Sequence, residues 1–297
     1  MTAPLWTAQP PVTVSAPAKV NLFLHITGRR KNGYHELESL FAFTKGGDRV
    51  TISTAPSYSF SLEGPFAEAL REAGGEGENN LVSKAVRLLA GRAGLEAAVA
   101  VTLEKNLPVA AGIGGGSADA AATLIALDAF WKLKLSTAEL EKIALELGAD
   151  VPACLHKTPL MVRGIGEDLT PVKLGWKGGI LLVNPMVPLP TPSVFGAYKD
   201  QGSPFDGRIE DIGSLLAGAS SLKKAHNALE APAIAVCPAV REVLKCLAPL
   251  PDVQLVRMSG SGATCFALFD SAACAQKAGQ RLKAQQPDWW MMVDTLE

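Results

Sequence analysis

Pro108-Val109-Ala110-Ala111-Gly112-Ile113-Gly114-Gly115-Gly116-Ser117-Ala118 decides how the rest of the chain reads, because four glycines crowd into five of its positions. Ahead of it, Ala97 to Leu103 carries valines at 99 and 101 and reads as a strand; behind it, Asp119 to Leu127 reads as a helix. The order is strand, glycine loop, helix. Glycine has no Cβ and accepts φ > 0, so a ligand can approach the main chain closely. Successive N–H groups then converge on an anion, and the helix start adds unpaired donors and partial positive charge. Ser117 and Asp119 are expected to cap that helix. Phosphate suits this arrangement best; a tight strand-to-helix connection is the plainer reading of the same letters. A Walker loop is excluded, since no Gly-Lys-Ser/Thr follows. The dinucleotide fingerprint, with its acidic residue, is also missing.

The chain has 297 residues and a formal net charge of −1. That length suits two domains, or one large one, with a real core. The near-neutral charge provides no field that would draw nucleic acid or an anionic membrane. Five cysteines, at 154, 237, 246, 265 and 274, are odd in number and form no C-x-x-C, which points to reduced thiols in a cytoplasmic protein. The four histidines, His25, His35, His156 and His226, lack metal-ligand spacing. Met1 to Pro11 is proline-rich and lacks the basic and apolar regions of a signal peptide. No apolar run approaches the ~20 residues of a membrane span.

Outward from the loop, Val12 to Ile26 reads as a strand broken at Ala16-Pro17-Ala18, an edge or bulge. A basic turn with an Asn32-Gly33 hairpin signal follows. Strands are expected from Tyr34 through Phe43, over Asp48–Thr54 and over Ser57–Leu62, with a loop at 74–79. Asn80 starts a helix. A second helix starts at Ser136 with a Ser136/Glu139 capping box and a Leu135/Leu140 staple. Gly148 is placed as its C-cap. Asp150, before Val151-Pro152, is placed at the exit of that helix. Beyond residue 157, strands at 160–163, 179–184, 253–258, 264–269 and 289–293 alternate with helices, as in an α/β sandwich. Residues 200–219 read as a surface loop.

Three segments stand out together: Ala16-Pro17-Ala18-Lys19-Val20-Asn21, the glycine loop, and Met258-Ser259-Gly260-Ser261-Gly262-Ala263. They resemble the three motifs of the GHMP small-molecule kinases. Gly28 to Leu37, with its Gly33-Tyr34-His35-Glu36-Leu37 element, Leu147 to Pro152, and Gly164-Ile165-Gly166-Glu167 narrow the resemblance. They point to the branch that phosphorylates 4-diphosphocytidyl-2-C-methyl-D-erythritol in the non-mevalonate isoprenoid route. Two features depart from the pattern: Val109-Ala110-Ala111 holds fewer glycines than usual, and Ala118 stands where a second serine is common.

The resemblance implies an α+β fold of two domains. Residues 1–157 would resemble domain 2 of ribosomal protein S5, and residues 158–297 would form a ferredoxin-like α/β sandwich. It implies ATP as co-substrate, with Mg²⁺, and a cytidine diphosphate-linked methylerythritol as acceptor, in a monomer or homodimer. Asp150 matches the catalytic base and Lys19 its partner. A carboxylate accepts the hydroxyl proton, and a compact cation holds Asp150 ionised and offsets charge on the transferring group. Pro108, Val109, Ala110, Ala111, Gly112, Ile113, Gly114, Gly115, Gly116, Ser117 and Ala118 would hold the ATP phosphates, with Ser117 touching Mg²⁺. Asn80 and Leu81 match adenosine-side positions; Asn21, Tyr34, His35, Thr191 and Pro192 match the acceptor side. His35 would clamp the cytosine. A homoserine- or mevalonate-type GHMP kinase is the alternative enzyme, and a silent nucleotide-binding regulator the alternative class. Tyr34-His35 argues against the first, and the presence of both Lys19 and Asp150 against the second.

Overall fold

The computed structural model describes residues 9–296, so residues 1–8 of the proline-rich opening lie outside the described residues. The chain divides into two compact units that are not simple halves of the sequence. Unit 1 takes the chain up to Pro17, Gly46–Val109 and Gly115–His156; unit 2 takes Ala18–Lys45, Ala110–Gly114 and Lys157–Glu297.

Two long strands, β1 (Val12–Arg29) and β2 (His35–Thr54), contribute to both units. β1 runs through Pro17 without the expected break. Among the named strands it pairs only with β2, so the missing proline N–H can face away from the ladder at no cost in strand pairing. β2 is likewise one strand where two were expected. Gly46-Gly47 lets it continue: a Cβ on Gly47 would stand 2.1 Å from the Ala16 carbonyl oxygen. Main chains that close leave room only for glycine, so the pairing passes through this point instead of turning away.

In unit 1, β3 (Ser59–Glu63) lies parallel to β4 (Val99–Glu104), and β4 lies antiparallel to residues 49–54 of β2. Helix α1 (Ala67–Glu72) occupies part of a region with no readable pattern. Helices α2 (Leu81–Ala93), α3 (Gly115–Trp131), α4 (Thr137–Leu147) and α5 (Val151–His156) pack on one another. α3 is apolar almost all round, as a central buried helix must be, and its Ala120-Ala121-Ala122 run is fully buried. The Ser136/Glu139 capping box is present. Gly148 closes α4 in an extended conformation (φ 162°), not a left-handed one. Asp150 does not leave a helix for a strand: Val151 and Pro152 open α5, where proline fits the first turn. Ser117 and Asp119 do not cap α3, because that helix already starts at Gly115.

Asp119 has another partner. Lys105, just past β4, is 3 % exposed; its Nζ donates to Asp48 and, at 2.9 Å, to Asp119. Asp48 Oδ1 also accepts from the Asn106 and Leu107 main-chain N–H groups at 2.5 and 2.8 Å. The Asp119 carboxyl is raised to about 7, first by burial, with Lys105 pulling it down and Asp48 pushing it up. The cluster lies under the start of α3: a Cβ on Gly115 would stand 3.0 Å from Lys105 Nζ.

In unit 2, β5 (Leu160–Gly164) pairs antiparallel with residues 37–41 of β2 and with β6 (Asp168–Pro171). A second sheet, wholly antiparallel, has the order β10-β7-β9-β8, from β7 (Gly179–Asn184), β8 (Val253–Met258), β9 (Cys265–Phe269) and β10 (Trp290–Thr295). Between them come α6 (Thr191–Asp200), α7 (Ile212–Leu216), a 3₁₀ turn Ala219–Lys224, α8 (Glu230–Val236), α9 (Ala239–Leu247) and α10 (Ala272–Gln285). With the helices between β7 and β8 taken as one crossover, this is the β-α-β-β-α-β ferredoxin-like order. Pro232 sits within the first turn of α8 and does not break it; Pro238 separates α8 from α9. α10 packs on β7, β9 and β10, where Gly279 lets Val293 come close. No helix among the described residues is long and apolar enough to cross a membrane. The five cysteines are free thiols, three of them buried.

Lys105→Met should lower the unfolding free energy by roughly 3–5 kcal/mol, the cost of removing one partner from a buried ion pair. Urea denaturation of variant and parent at one pH checks this; a loss below about 1 kcal/mol would mean the two carboxylates do not depend on Lys105.

Candidate active site

The middle of the glycine loop is fixed through its carbonyls. Thr264 N donates to the Ala111 carbonyl (3.2 Å), Ser259 Oγ to that of Gly112 (3.1 Å), and Lys19 N to that of Ile113 (2.9 Å). Three successive acceptors are thus taken by the first sequence motif and by the third together with Thr264, the residue that follows it. Gly112 and Gly114 are left-handed (φ +73° and +65°). A Cβ on Gly112 would lie 2.4 Å from the Gly262 carbonyl oxygen, and one on Gly114 3.0 Å from Lys19 Cε. Ala110 is also left-handed (φ +53°) and exposed. An alanine therefore occupies a backbone state that glycine adopts without the Cβ penalty of ~1–2 kcal/mol.

The Lys19 stem lies against Gly114, and its side chain is nearly buried. Nζ donates to Asn21 Oδ1 (2.9 Å) and stands 4.4 Å from the centre of the Phe41 ring. Asn21 is buried as well. Its Nδ2 donates to Ser39 Oγ (2.9 Å), and its main-chain N–H donates to Ser259 Oγ (3.1 Å). The amide therefore orients Lys19 within the protein. Asn227 supports the third motif, donating from Nδ2 to the Met258 and Gly260 carbonyls, each at 2.8 Å. Thr191, at the start of α6, pairs its hydroxyl with that of Ser261 (2.7 Å), and Pro192 beside it is exposed.

His35 begins β2. Its imidazole stacks on Phe195 of α6 (centroids 5.0 Å, 23°) and meets the edge of Tyr198 (5.7 Å, 90°). Partial burial, then the nearby Arg29 charge, lower its pKa, which favours the neutral ring. Tyr34 is 61 % exposed, so it is not a core residue. The turn before it is pinned: Arg30 bonds Glu36 (2.5 Å) and Glu167 (2.6 Å). These acceptor-side candidates and Lys19 belong to unit 2.

Unit 1 carries the others. Asn80 caps α2, its Oδ1 accepting from Val82 N at 2.7 Å. Leu81 opens α2, with Cδ1 3.9 Å from where a Cβ on Gly116 would lie. The starts of α2 and α3, with Asn80, Leu81, Gly115, Gly116 and Ser117, are therefore neighbours. Ala118 is buried in α3; Pro108 and Val109 lead into the loop. Asp150 is half-buried between α4 and α5, its carbonyl accepting from Cys154 N (3.3 Å). Sequence reasoning missed Phe41, Phe195, Tyr198 and Asn227. Their only sequence signal was a place on an expected strand or helix, and tertiary folding brings them to the named residues.

The description "GHMP kinases N terminal domain" matches residues 80–158, and "GHMP kinases C terminal" matches residues 205–288. A Rhodospirillum rubrum protein named 4-diphosphocytidyl-2-C-methyl-D-erythritol kinase is 46 % identical over 96 % of this chain and 92 % of its own. The Paracoccus denitrificans protein of that name is 48 % identical, covering 95 % and 96 %. A crystal structure of 4-(cytidine 5'-diphospho)-2C-methyl-D-erythritol kinase matches with a TM-score of 0.79 at 33 % identity, over 96 % of this chain and 98 % of that one. Homoserine kinase from Cytophaga hutchinsonii (TM-score 0.73, 20 % identity, covering 100 % and 97 %) shares the fold.

Two loop substitutions should act in opposite directions. Gly112→Ala forces a Cβ into the Gly262 carbonyl and should cost roughly 2–4 kcal/mol of stability. Ala110→Gly relieves the left-handed alanine and should gain up to about 1 kcal/mol, the chain-entropy loss offsetting part of the relief. Denaturant midpoints measure both; a neutral Gly112→Ala would mean that the loop does not sit against Gly262.

Proposed function

The chain belongs to the GHMP kinases, within them to the 4-diphosphocytidyl-2-C-methyl-D-erythritol kinases, and from that premise we propose that it transfers the γ-phosphoryl group of ATP to the 2-hydroxyl of 4-diphosphocytidyl-2-C-methyl-D-erythritol, supplying the non-mevalonate isoprenoid route. The observation that carries this reading is the anchoring of Ala111, Gly112 and Ile113 by Thr264, Ser259 and Lys19. This anchoring supports reading the segment as a phosphate-binding loop beside a positioned cation.

The acceptor hydroxyl oxygen bonds to the γ-phosphorus as the bond to the ADP oxygen breaks. Asp150 accepts the hydroxyl proton. Lys19, oriented by Asn21 and Phe41, offsets negative charge on the transferring group. Such a reaction rests mainly on positioning and electrostatics. The start of α3, with Gly115, Gly116 and Ser117, contributes main-chain donors to the ATP phosphates, and Asn80 and Leu81 flank the adenosine side. Neutral His35 hydrogen-bonds the cytosine edge, Tyr34 stacks beside it or shapes the pocket, and Thr191 and Pro192 line that pocket. Mg²⁺ on nucleotide phosphates needs few protein ligands. The half-buried Ser117 hydroxyl in the first turn of α3 fits that need, whereas Asp119 is engaged by Lys105. When bound, the ion would share the phosphate charge.

Purified protein with Mg²⁺-ATP should phosphorylate the cytidine-linked acceptor and leave methylerythritol phosphate, homoserine and mevalonate nearly untouched, as read by ADP release. Faster turnover of homoserine or mevalonate would move the substrate assignment to a sister kinase. Asp150→Asn should lower kcat by roughly 10²–10⁴ with little change in ATP affinity, as expected for a lost general base. Lys19→Met should also slow turnover. Near-parental turnover by Asp150→Asn would remove Asp150 from the mechanism.

A further inference from the structure

Residues 200–219 read from sequence as an ordinary surface loop, yet the part from Pro204 to Ile209 is stitched down along its length. Asp206 brackets one residue of β1: its N–H donates to the Ile26 carbonyl and its Oδ2 accepts from the Ile26 N–H, each at 2.8 Å. Asp206 Oδ1 stands 3.1 Å from His226 Nε2. His25 Nε2 accepts from the His226 N–H (3.4 Å), which leaves Nδ1 to donate to the Gly207 carbonyl (3.3 Å). Ile209 N donates to Glu38 (2.6 Å), which is held in turn by Arg163 (2.9 Å).

The strap also reaches α6. Tyr198 Oη donates to the Pro204 carbonyl at 3.5 Å, and the edge of the Tyr198 ring abuts His35 where His35 stacks on Phe195. Burial, then the Asp206 charge, raise the Tyr198 pKa, which places that carboxylate within electrostatic reach of the phenol. Ile26 and Tyr198 belong to the same buried core, with Leu37 and Phe195 packed against it. Ile26 is fully buried, so loss of its acceptor would leave a buried donor unpaired.

We propose that Asp206 is a positioning residue for acceptor recognition: it latches the 204–209 strap onto β1 and, through Tyr198, holds His35 against Phe195. The inference rests on the reading of His35 as the clamp on the cytosine. An imidazole free to swing pays an ordering cost when the base binds, so the latch acts on acceptor affinity. The bonds run between the strap and residues 25, 26, 38, 198 and 226, so the effect falls on KM for the acceptor and spares ATP.

Steady-state kinetics of His35→Ala, Asp206→Ala and Asp206→Asn, each with the cytidine-linked acceptor and with ATP varied in turn, test this. His35→Ala should raise KM for the acceptor. Asp206→Ala should raise it roughly 3–10-fold, the factor for one or two lost hydrogen bonds. Its kcat and its KM for ATP should stay within about twofold of the parent. Asp206→Asn keeps an oxygen for the Ile26 N–H and should recover at least half of the loss, which general destabilisation would not predict. If Asp206→Ala does not fold, His226→Ala removes the other partner of the carboxylate at an exposed side chain and should shift the acceptor KM in the same direction. A parental acceptor KM for Asp206→Ala alongside an impaired His35→Ala would overturn the latch and leave the clamp standing. A parental His35→Ala would overturn both. Equal rises in both KM values for Asp206→Ala would also overturn the latch.

Discussion

Everything near the glycine loop depends on its carbonyls being satisfied from one side. A loop rich in glycine carries a large conformational entropy, and a flexible loop cannot pre-organise donors for an anion. Thr264, Ser259 and Lys19 take the carbonyls of Ala111, Gly112 and Ile113 in succession. Each bond is modest, about 0.5–1.5 kcal/mol net, yet three in a row remove most of the freedom of the segment. The same constraint explains the glycines: the Gly112 position has the Gly262 carbonyl oxygen against it, and Gly114 has the Lys19 stem. Ala110, just before these three residues, is left-handed as well.

Two lysines show how differently a buried cation can be used. Lys105 sits between two buried carboxylates beneath the start of α3 and is committed to structure. Lys19 meets a neutral amide oxygen and an aromatic face. Those contacts orient its ammonium. The placement of each lysine, not its identity, separates the two roles.

Around His35, order comes from aromatic packing and from a strap. His35 stacks on Phe195, and Tyr198 closes one edge. The surrounding turn is held by Arg30 with Glu36 and Glu167. Partial burial and then the Arg29 charge favour the neutral imidazole, the form that can both donate and accept a hydrogen bond.

Local letters were enough for the strand, glycine loop and helix, for the Ser136/Glu139 box, for Asn80 as a cap and for the β8–β9 pair around Ser259 to Gly262. Each depends on neighbours in sequence: periodicity, a side chain reaching a main-chain N–H a few residues on, or a glycine freed from Cβ clashes. The family likewise followed from motifs that are contiguous stretches. Tertiary structure alone decided that β2 runs unbroken past Gly47, because the reason is the Ala16 carbonyl pressed against it. It decided that Asp119 serves Lys105 instead of capping α3, and that Asn21 turns its amide to Lys19 and Ser39. It also decided that the segment from Pro204 to Ile209, plain loop by composition, is bound to Ile26 and Glu38. A sequence specifies the donors and acceptors each residue carries; which buried partner satisfies them is settled only when distant segments are brought within about 3 Å.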